Sequence, residues 1–358
     1  MEPERILVAM SGGVDSSVTA KLLTDEGFAC VGCTMKLYDN EDAGVPKGHT
    51  CCSLDDVEDA RSVAYQLGMS YYVFNLKDSF RSCVIDRFVD AYQHGVTPNP
   101  CIDCNRYLKF DRLFERADVL GCRYIATGHY ARVEREGERY VLKKALDASK
   151  DQSYVLYDLT QEKLARVKFP LGGLSKAQAR EIAAQAGLIN ARKHDSQDIC
   201  FVPDGDYAAA IARHTGVQPC PGPFLDLEGN EVGRHRGIIH YTVGQRRGLR
   251  MSSDGRLYVI KILPEQNAVV VGPEQALYSR SCRVLPMHWI SGQAPELPFA
   301  CRAKTRYRQP EKPCTVYPAE NGAVRLVFDE PLRAITPGQS AVLYDGDTVL
   351  GGGIISRE

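Results

Sequence analysis

The chain has 358 residues, of which 44% are hydrophobic and 25% are charged, a balance that is ordinary for a globular protein of two or three domains and excludes a disordered chain. Its formal net charge of -1 excludes a general attraction to nucleic acid, so a polyanion would have to be held by local basic patches. No run of about 18 uncharged apolar residues occurs, and two acids precede the short apolar run at the N-terminus. We therefore expect a cytoplasmic protein with no membrane partner.

The first 130 residues alternate between strand-like and helical patterns. The strand-like runs are RILVAM, FACVGCTMKLY, YYVFNL and RYIATGHY. This alternation predicts an α/β domain with a parallel sheet, whose active site lies at the carboxyl ends of the strands. Ser53 with Asp56, and Ser175 with Gln178, have the spacing of a helix-capping box and predict two helix N-termini.

From about residue 210 onward, short β-rich runs replace the alternating pattern. Asn321-Gly322 and Asp345-Gly346 are typical of hairpin turns, and EREGERY at 134–140 also reads as a hairpin tip. We predict three domains at 1–208, 209–276 and 277–358: a parallel-sheet domain, a small β-rich domain and a β-barrel-like domain.

The run SGGVDSS follows the first predicted strand and opens a helix. Gly12 and Gly13 allow a sharp turn, and the helix start offers N–H groups and a positive dipole end to a phosphate. A Walker A loop would carry a lysine here, whereas this loop carries Asp15, an acid suited to Mg²⁺. The alternative is a glycine-rich turn that merely joins a strand to a helix. The run resembles the PP-loop of ATP pyrophosphatases, which cleave ATP between the α and β phosphates, and by itself it leaves the acceptor open.

Three cysteines lie in polar, loop-like stretches. Cys101 and Cys104 precede a helix predicted to begin near Asn105, where the helix dipole would stabilise a thiolate, and Cys200 lies in HDSQDICFVPDGDY. Such thiols favour redox or sulfur chemistry over packing.

The other cysteines have simpler interpretations. A zinc site that joins Cys101 and Cys104 to Cys30 and Cys33 is disfavoured, because residues three apart on a strand point to opposite faces. Cys51-Cys52 reads as an incidental loop pair. We expect six of the thirteen cysteines to be buried as small hydrophobic residues. These are Cys30, Cys83, Cys122, Cys282, Cys301 and Cys314.

Basic residues alternate in CRAKTRYRQ. On a strand, Arg302, Lys304, Arg306 and Arg308 would share one face for RNA binding, with Tyr307 opposite; a solvated strand face is the alternative. A second basic cluster is GQRRGLR at 244–250. His129, after the fourth predicted strand, is either a general base or a hydrogen-bonded structural residue.

Seven motifs occur in the order found in the bacterial tRNA-specific 2-thiouridylases, the MnmA or TrmU family, which the chain resembles along essentially its whole length. They are AMSGGVDSSV, TPNPCIDCNRYLKF, ATGHYARV, KDQSYVLY, DSQDICF, HYTVGQRRGL and RYR. The resemblance implies a PP-loop catalytic domain, a central β domain and a C-terminal β-barrel domain. It also implies ATP-dependent 2-thiolation of a wobble uridine, in which the C2 oxygen is adenylated and sulfur then displaces AMP.

The resemblance carries roles to particular residues. Cys104 matches the nucleophile, and Cys200 matches the cysteine that bears a persulfide. The residues implied to hold ATP, with Mg²⁺, are Ala9, Met10, Ser11, Gly12, Gly13, Val14, Asp15, Ser16, Met35 and Gly128. The residues implied to contact tRNA or its target base are Asn99, Pro100, Cys101, His129, Lys150, Asp151, Gln152, Arg306, Tyr307 and Gln339.

Several alternatives remain open at this stage. Many relatives carry Asp where this chain has Cys101, so a [4Fe-4S] cluster on Cys101, Cys104 and Cys200 stands beside the persulfide route. The implied partners are the tRNAs for Lys, Glu and Gln and a sulfur donor, either a cysteine desulfurase or a relay protein. Two other functions compete: a PP-loop ligase or amidotransferase that adenylates a small substrate, and an RNA-binding module with a regulatory ATP site.

Overall fold

The computed structural model describes residues 3–38, 54–193, 199–202, 205–216, 218–251 and 255–357. Within these ranges no helix is both long enough and apolar enough to cross a membrane. Ser53, Cys51 and Cys52, for which the sequence predicted a helix cap and a loop pair, lie outside the described residues.

A five-stranded parallel sheet organises the N-terminal part, as the sequence predicted. Its strands are β1 Arg5–Ala9, β2 Ala29–Lys36, β3 Ser70–Asn75, β4 Tyr124–Ala126 and β7 Val167–Lys168. The order across the sheet is β3-β2-β1-β4-β7, so the chain adds strands on one side of β1 and then returns to the other side. The reversal leaves a crevice outside the carboxyl ends of β1 and β4, where α/β sheets bind ligands.

Helices of the N-terminal part pack against this sheet, and short helical turns occur throughout the described residues. The described residues contain the α-helices α1 Val14–Asp25, α2 Leu54–Gln66, α3 Lys77–Phe80, α4 Asp86–Gln93, α5 Pro100–Asp103, α6 Leu113–Val119, α7 Gln161–Arg166, α8 Lys176–Gln185 and α9 Tyr207–Thr215. Short 3₁₀ turns lie at Ser153–Leu156, Pro170–Gly173, Ile238–His240, Pro264–Gln266, Glu274–Leu277 and Glu320–Gly322. The predicted capping box at the start of α8 is confirmed, with Ser175 and Gln178 each bonded to the other's backbone.

The two faces of the sheet bury separate apolar clusters, because successive strand residues point to opposite sides. Cys33 of β2 is buried with Leu7 and Ile125, whereas Cys30 packs against the cluster of Ile6 and Val8 on the other face. Cys30 and Cys33 therefore point to opposite faces of the sheet, as the sequence predicted. Cys122, Cys282, Cys301 and Cys314 are buried as expected, but Cys30 and Cys83 remain partly exposed.

The helix that carries Cys104 begins earlier than the sequence analysis predicted. It starts at Pro100 and continues through a π-helical stretch, Cys104–Arg112, into α6. Asn99 is the N-cap, its side chain accepting from the backbone N–H of Cys101, and Pro100 needs no such partner at the first helical position. A second π-helical stretch, Arg81–Ile85, joins α3 to α4.

Two further β-sheets follow. The central sheet has the order β10-β11-β8-β9, from β8 Gly222–Leu225, β9 Glu231–His235, β10 Tyr258–Leu263 and β11 Ala268–Gly272. The last sheet contains β5 Ala131–Glu136, β6 Arg139–Lys144, β12 Tyr278–Trp289, β13 Phe299–Lys304, β14 Lys312–Pro318, β15 Val324–Arg333, β16 Ser340–Asp345 and β17 Thr348–Ile355.

Six strands of the last sheet close into a barrel, because β12 pairs with both β15 and β17. Both hairpin signals are confirmed: Asn321-Gly322 joins β14 to β15, and Asp345-Gly346 joins β16 to β17. The predicted hairpin of β5 and β6 is confirmed as well, and Lys143 of β6 pairs with Thr348 of β17. A hairpin from the N-terminal part of the chain thus extends the barrel sheet.

The predicted basic strand face is partly wrong. Strand β13 ends at Lys304, so Arg302 and Lys304 share its outer face while Arg306 and Arg308 lie in the turn that follows. Thr305 is buried and its hydroxyl donates to the Gln309 side chain 2.7 Å away, which stabilises the turn in place of a continued strand.

Candidate active site

The loop after β1 is built to present backbone N–H groups. Gly12 has φ +73°, and a Cβ there would lie 2.3 Å from the carbonyl oxygen of Asp56, so only glycine fits. Ser16 Oγ accepts from the N–H of Ser11 at 3.1 Å and donates to the carbonyl of Gly13 at 3.0 Å. These bonds fix the loop at the start of α1, and helix starts of this kind bind anions through their N–H groups.

The residues predicted to hold ATP converge on this crevice. Ala9 ends β1, Met10 is buried beneath the loop, and Val14, Asp15 and Ser16 begin α1. Gly128 follows β4, and a Cβ there would meet the backbone of Asp15 and Ser16 at 3.0 Å. Met35 lies near the carboxyl end of β2, the neighbouring strand.

Asp15 has partners that the sequence analysis missed. Lys176 Nζ lies 2.7 and 2.8 Å from the two carboxylate oxygens of Asp15, and the Tyr130 hydroxyl donates to one of them at 2.8 Å. Lys176 is 161 residues away along the chain, so no local pattern could have found the pair. The only indication in the sequence was Asp15 itself, because an acid in an anion-binding loop needs a nearby cation.

The opposite side of the loop is tied to the segment after α8. Asn190 Nδ2 donates to the carbonyl of Gly12 at 2.9 Å and to Ser17 Oγ at 2.8 Å. Lys193 pairs with Asp56 and Asp59 of α2, whose backbone closes over Gly12. The loop shape is therefore fixed by contacts from several elements.

Cys104 and Cys200, the predicted catalytic pair, are both partly buried against one apolar cluster that includes Phe80, Phe88 and Phe201. The carbonyl of Cys200 accepts from the hydroxyl of Tyr38, just beyond β2, at 2.8 Å. Both residues are thiols here rather than a disulfide. The fold thus brings two residues 96 positions apart onto the same core, near the carboxyl end of the sheet.

Cys101 differs from this pair because it is exposed, one helical turn before Cys104. Among the residues that the structure describes, no three His, Cys, Asp or Glu side chains gather as a metal site. The three cysteines are therefore not arranged as ligands of an iron–sulfur cluster in this structure.

Tyr307, one of the predicted tRNA residues, lies near both Cys101 and Asp151. Burial raises the pKa of Tyr307, and its electrostatic interactions with Asp151 and Cys101 nearby raise that pKa further. Lys304 Nζ lies 3.6 Å from Asp151, whose carboxylate also accepts from the backbone of Ala145 and Ser153. Lys150 lies in the turn before Asp151, its N–H donating to Asp147.

The segment Val96–Asn99, just before the cysteine helix, is held by the barrel. Gln339 Nε2 donates to the carbonyls of Thr97 and Pro98 at 2.9 and 3.2 Å, and the Thr97 N–H donates to Pro337 at 3.0 Å. Arg306 joins the two β domains by donating to the carbonyl of Val243 at 2.9 Å and to the hydroxyl of Thr336. Gln339 and Arg306 thus lie where all three parts of the chain meet.

His129 and Gln152 lie on the other side of this region. His129 is 6% exposed, packs against Phe110 and Phe169, and shares a hydrogen bond with Thr127. Burial lowers the pKa of His129 well below its ordinary value, and the charge of Lys109 adds to this effect. Gln152 accepts from the N–H of Tyr130 and donates its own N–H to the Tyr130 carbonyl, so it positions the tyrosine that reaches Asp15.

The fold and this crevice define a nucleotide-binding protein of the PP-loop class. Family models match three consecutive parts of the chain: a tRNA methyl transferase HUP domain at residues 4–204, a tRNA methyl transferase PRC-barrel domain at 209–273, and an aminomethyltransferase β-barrel domain at 279–355. The chain belongs to the tRNA-specific 2-thiouridylase family, MnmA or TrmU.

Curated relatives match along nearly the whole chain. Proteins named tRNA-specific 2-thiouridylase MnmA are 48% identical in Acetivibrio thermocellus, with 99% of this chain and 100% of the relative covered, and 47% identical in Symbiobacterium thermophilum, with 99% and 92% covered. The MnmA of Clostridioides difficile is 44% identical, with 99% and 98% covered.

Solved structures are more distant. A 4-thiouridine synthetase in complex with RNA and ATP is 18% identical at a TM-score of 0.36, covering 56% of this chain and 45% of that one. The NMN synthetase of Francisella tularensis is 15% identical at a TM-score of 0.33, covering 61% and 79%.

Proposed function

We propose that the chain is a cytoplasmic tRNA-uridine 2-sulfurtransferase that uses ATP to replace the C2 oxygen of the wobble uridine with sulfur from a persulfide on Cys200. The observation that carries this proposal is the convergence of Cys104 and Cys200 on one apolar cluster, with the Cys200 backbone bonded to the end of β2. A PP-loop ligase that joins a small substrate to an amine would need no such pair. The name that the relatives share, tRNA-specific 2-thiouridylase, supports the same activity.

In the first step, the uridine C2 oxygen attacks the α phosphorus of ATP, and pyrophosphate leaves. The N–H groups at the start of α1 donate hydrogen bonds to the phosphates and stabilise their charge. Donors that are already in position do this at little reorganisation cost. A single carboxylate, Asp15, together with the phosphates is a ligand set that suits Mg²⁺, which would supply charge neutralisation at the phosphates.

In the second step, the terminal sulfur of the Cys200 persulfide attacks C2, and AMP leaves. The Cys104 thiolate then attacks Cys200 Sγ, which releases the thiouridine and leaves a Cys104–Cys200 disulfide. In the other order, Cys104 attacks first and the released hydrosulfide attacks C2. Either order consumes one persulfide and ends in the same disulfide, which a dithiol reductant must reduce before the next cycle.

The sulfur donor must reload Cys200, and we propose a cysteine desulfurase or a sulfur-relay protein for this role. The tRNA would lie across Cys101, Tyr307 and the barrel, with its wobble base turned toward Cys104. Bases in an anticodon loop are partly unstacked, so extruding one costs less than in a duplex. The family resemblance points to the tRNAs for Lys, Glu and Gln.

The test is an anaerobic assay with unmodified tRNA, ATP, Mg²⁺ and a desulfurase, in which 2-thiouridine is measured by mass spectrometry beside bound iron. We expect Cys104→Ser and Cys200→Ser to abolish thiouridine. Cys83→Ser is the matched control, because Cys83 is also partly buried against the same cluster, and it should stay active. Thiouridine formed by the Cys200 variant would overturn the persulfide route.

Cys101→Asp separates the persulfide route from the iron–sulfur alternative. The persulfide route does not use Cys101, so this variant should stay active and need no iron. Loss of both iron and activity on this substitution would instead establish the cluster. AMP release that needs a small acceptor and no tRNA would establish the ligase.

A further inference from the structure

The phosphate loop has no lysine of its own, and the fold brings one to it from α8. Lys176 Nζ contacts both carboxylate oxygens of Asp15, the second residue of α1. The side chains are 12% and 32% exposed, so this ion pair lies within the crevice rather than on the open surface. Asp15 in turn lies against Gly128 at the end of β4. The pair therefore occupies the place where phosphates would meet the loop.

We propose that Lys176 binds the β and γ phosphates of ATP, and the pyrophosphate product, in the role that a P-loop lysine fills from within its own loop. This inference rests on the ATP use in the proposed function. An ammonium group has three N–H donors and a compact charge, so it can hold a carboxylate and a phosphate oxygen at once.

Charge supports this assignment. Pyrophosphate on the α1 N–H groups would lie beside the carboxylate of Asp15, and two negative groups a few ångströms apart repel each other strongly in a partly buried site. Lys176 removes that repulsion and adds an attraction of its own.

A role in holding α8 does not account for the Lys176 side chain. The helix start is already secured by the Ser175–Gln178 capping box and by the Lys176 N–H, which donates to Asp147 at 3.0 Å. Asp15 is likewise held by the Tyr130 hydroxyl. The ammonium group lies at the phosphate loop, where it can contact a bound phosphate as well as Asp15.

The first experiment is titration calorimetry of the full-length protein with pyrophosphate, and separately with ATP, in the presence of EDTA. Lys176→Gln should weaken binding about tenfold or more, the expected size for a lost charge-assisted hydrogen bond, and Lys176→Arg should restore part of it. Lys21→Gln removes the same charge from an exposed pair on α1 and should leave affinity unchanged. Melting temperatures identify any variant that fails to fold.

The second experiment separates phosphate binding from simple neutralisation of Asp15. Asp15→Asn should raise the metal-free affinity for pyrophosphate, because Lys176 is released from its carboxylate. Asp15→Asn with Lys176→Gln should then bind about tenfold more weakly than Asp15→Asn alone. Equal affinity of these two variants would overturn the inference while leaving the proposed function intact. A wild-type protein that binds neither ATP nor pyrophosphate, in EDTA or with Mg²⁺ added, would instead overturn the ATP use itself.

Discussion

Gly12 and Gly13 are neighbours in sequence but have different structural reasons to be glycine. Gly12 has positive φ and touches the Asp56 backbone, whereas Gly13 has φ -88° and a Cβ there would meet Ser11 Oγ at an ordinary 3.5 Å. Gly12→Ala should lower the free energy of unfolding by about 1–3 kcal/mol from backbone strain alone, with the steric clash adding to it. Gly13→Ala should change stability little. Urea denaturation of both variants checks this, and equal losses would contradict it.

His129 should make the folded protein sensitive to acid. Its pKa is lowered by burial, so the unfolded chain takes up a proton near the ordinary value of 6.5 while the folded protein does not. Above pH 6.5 the neutral His129 ring costs the folded protein no stability. Below pH 6.5 the free energy of unfolding falls by at most about 1.4 kcal/mol per pH unit for this one group, because only the unfolded chain binds the proton.

The comparison is between thermal melts of wild type and His129→Asn from pH 7.5 down to pH 5. Burial of His235 and partial burial of His240 also lower their pKa values, so a pH dependence will remain in the variant, and the expected result is a shallower slope. His94→Asn, at an exposed position, is the control for the loss of a histidine as such. An unchanged slope in His129→Asn would show that the ring is protonated in the folded state.

At the scale of single elements, the capping box of α8 should influence nucleotide affinity because α8 carries Lys176 in its first turn. Ser175→Ala should cost about 1 kcal/mol of stability and weaken binding of pyrophosphate. Thr160→Ala removes the N-cap of α7, which lies away from the loop, and should cost similar stability without changing affinity. Calorimetry beside urea denaturation distinguishes the two effects, and a parallel loss of affinity in both variants would contradict the argument.

Local patterns were enough to predict elements whose stability is local. Strands β1 to β4, the capping box and the hairpins depend on periodicity, turn residues and caps within a few positions, and the structure has them. The start of the Cys104 helix was also predictable, because Asn99-Pro100 is an N-cap followed by a first-turn proline. The predicted helix start at Asn105 was too late, because Cys101 and Cys104 were assigned to a loop.

Other features depend on contacts distant in sequence and left no local trace. The pairing of Lys176 with Asp15 is one, and the end of β13 is another. Arg306 continues an alternating basic pattern, yet its guanidinium is drawn into the boundary between the β domains, where burial lowers its pKa. This tertiary contact, and not strand propensity, determines the backbone conformation at Arg306.

At the scale of the whole molecule, the helix that carries Cys104 is held by parts of the chain more than 200 residues away. Thr97 and Pro98, just before that helix, are held by Pro337 and Gln339 of the barrel. The barrel can therefore transmit the binding of a large substrate to Cys104, the proposed nucleophile. Gln339 can position this segment and also contact tRNA.

Gly338→Ala tests that coupling. Gly338 has φ +88°, and a Cβ there would lie 2.1 Å from Val96 Cγ1 and 3.0 Å from the Thr97 backbone, so the substitution must push the barrel away from the segment. Displacing reacting groups by about 1 Å can cost up to about 100-fold in rate, so we expect thiolation of tRNA to fall about 10- to 100-fold while metal-free binding of pyrophosphate is kept.

Gly346→Ala is the matched control for this substitution. Gly346 belongs to the same barrel and has φ +54°, but a Cβ there would meet no described atom within 4 Å, so alanine brings backbone strain without the clash. Hydrogen exchange at the Thr97 amide, which bonds to Pro337, reports directly on the contact. We expect faster exchange and slower thiolation together in Gly338→Ala and neither in Gly346→Ala. Faster exchange with full activity would mean that the barrel holds this segment without positioning Cys104, and the substrate would then have to align the nucleophile itself.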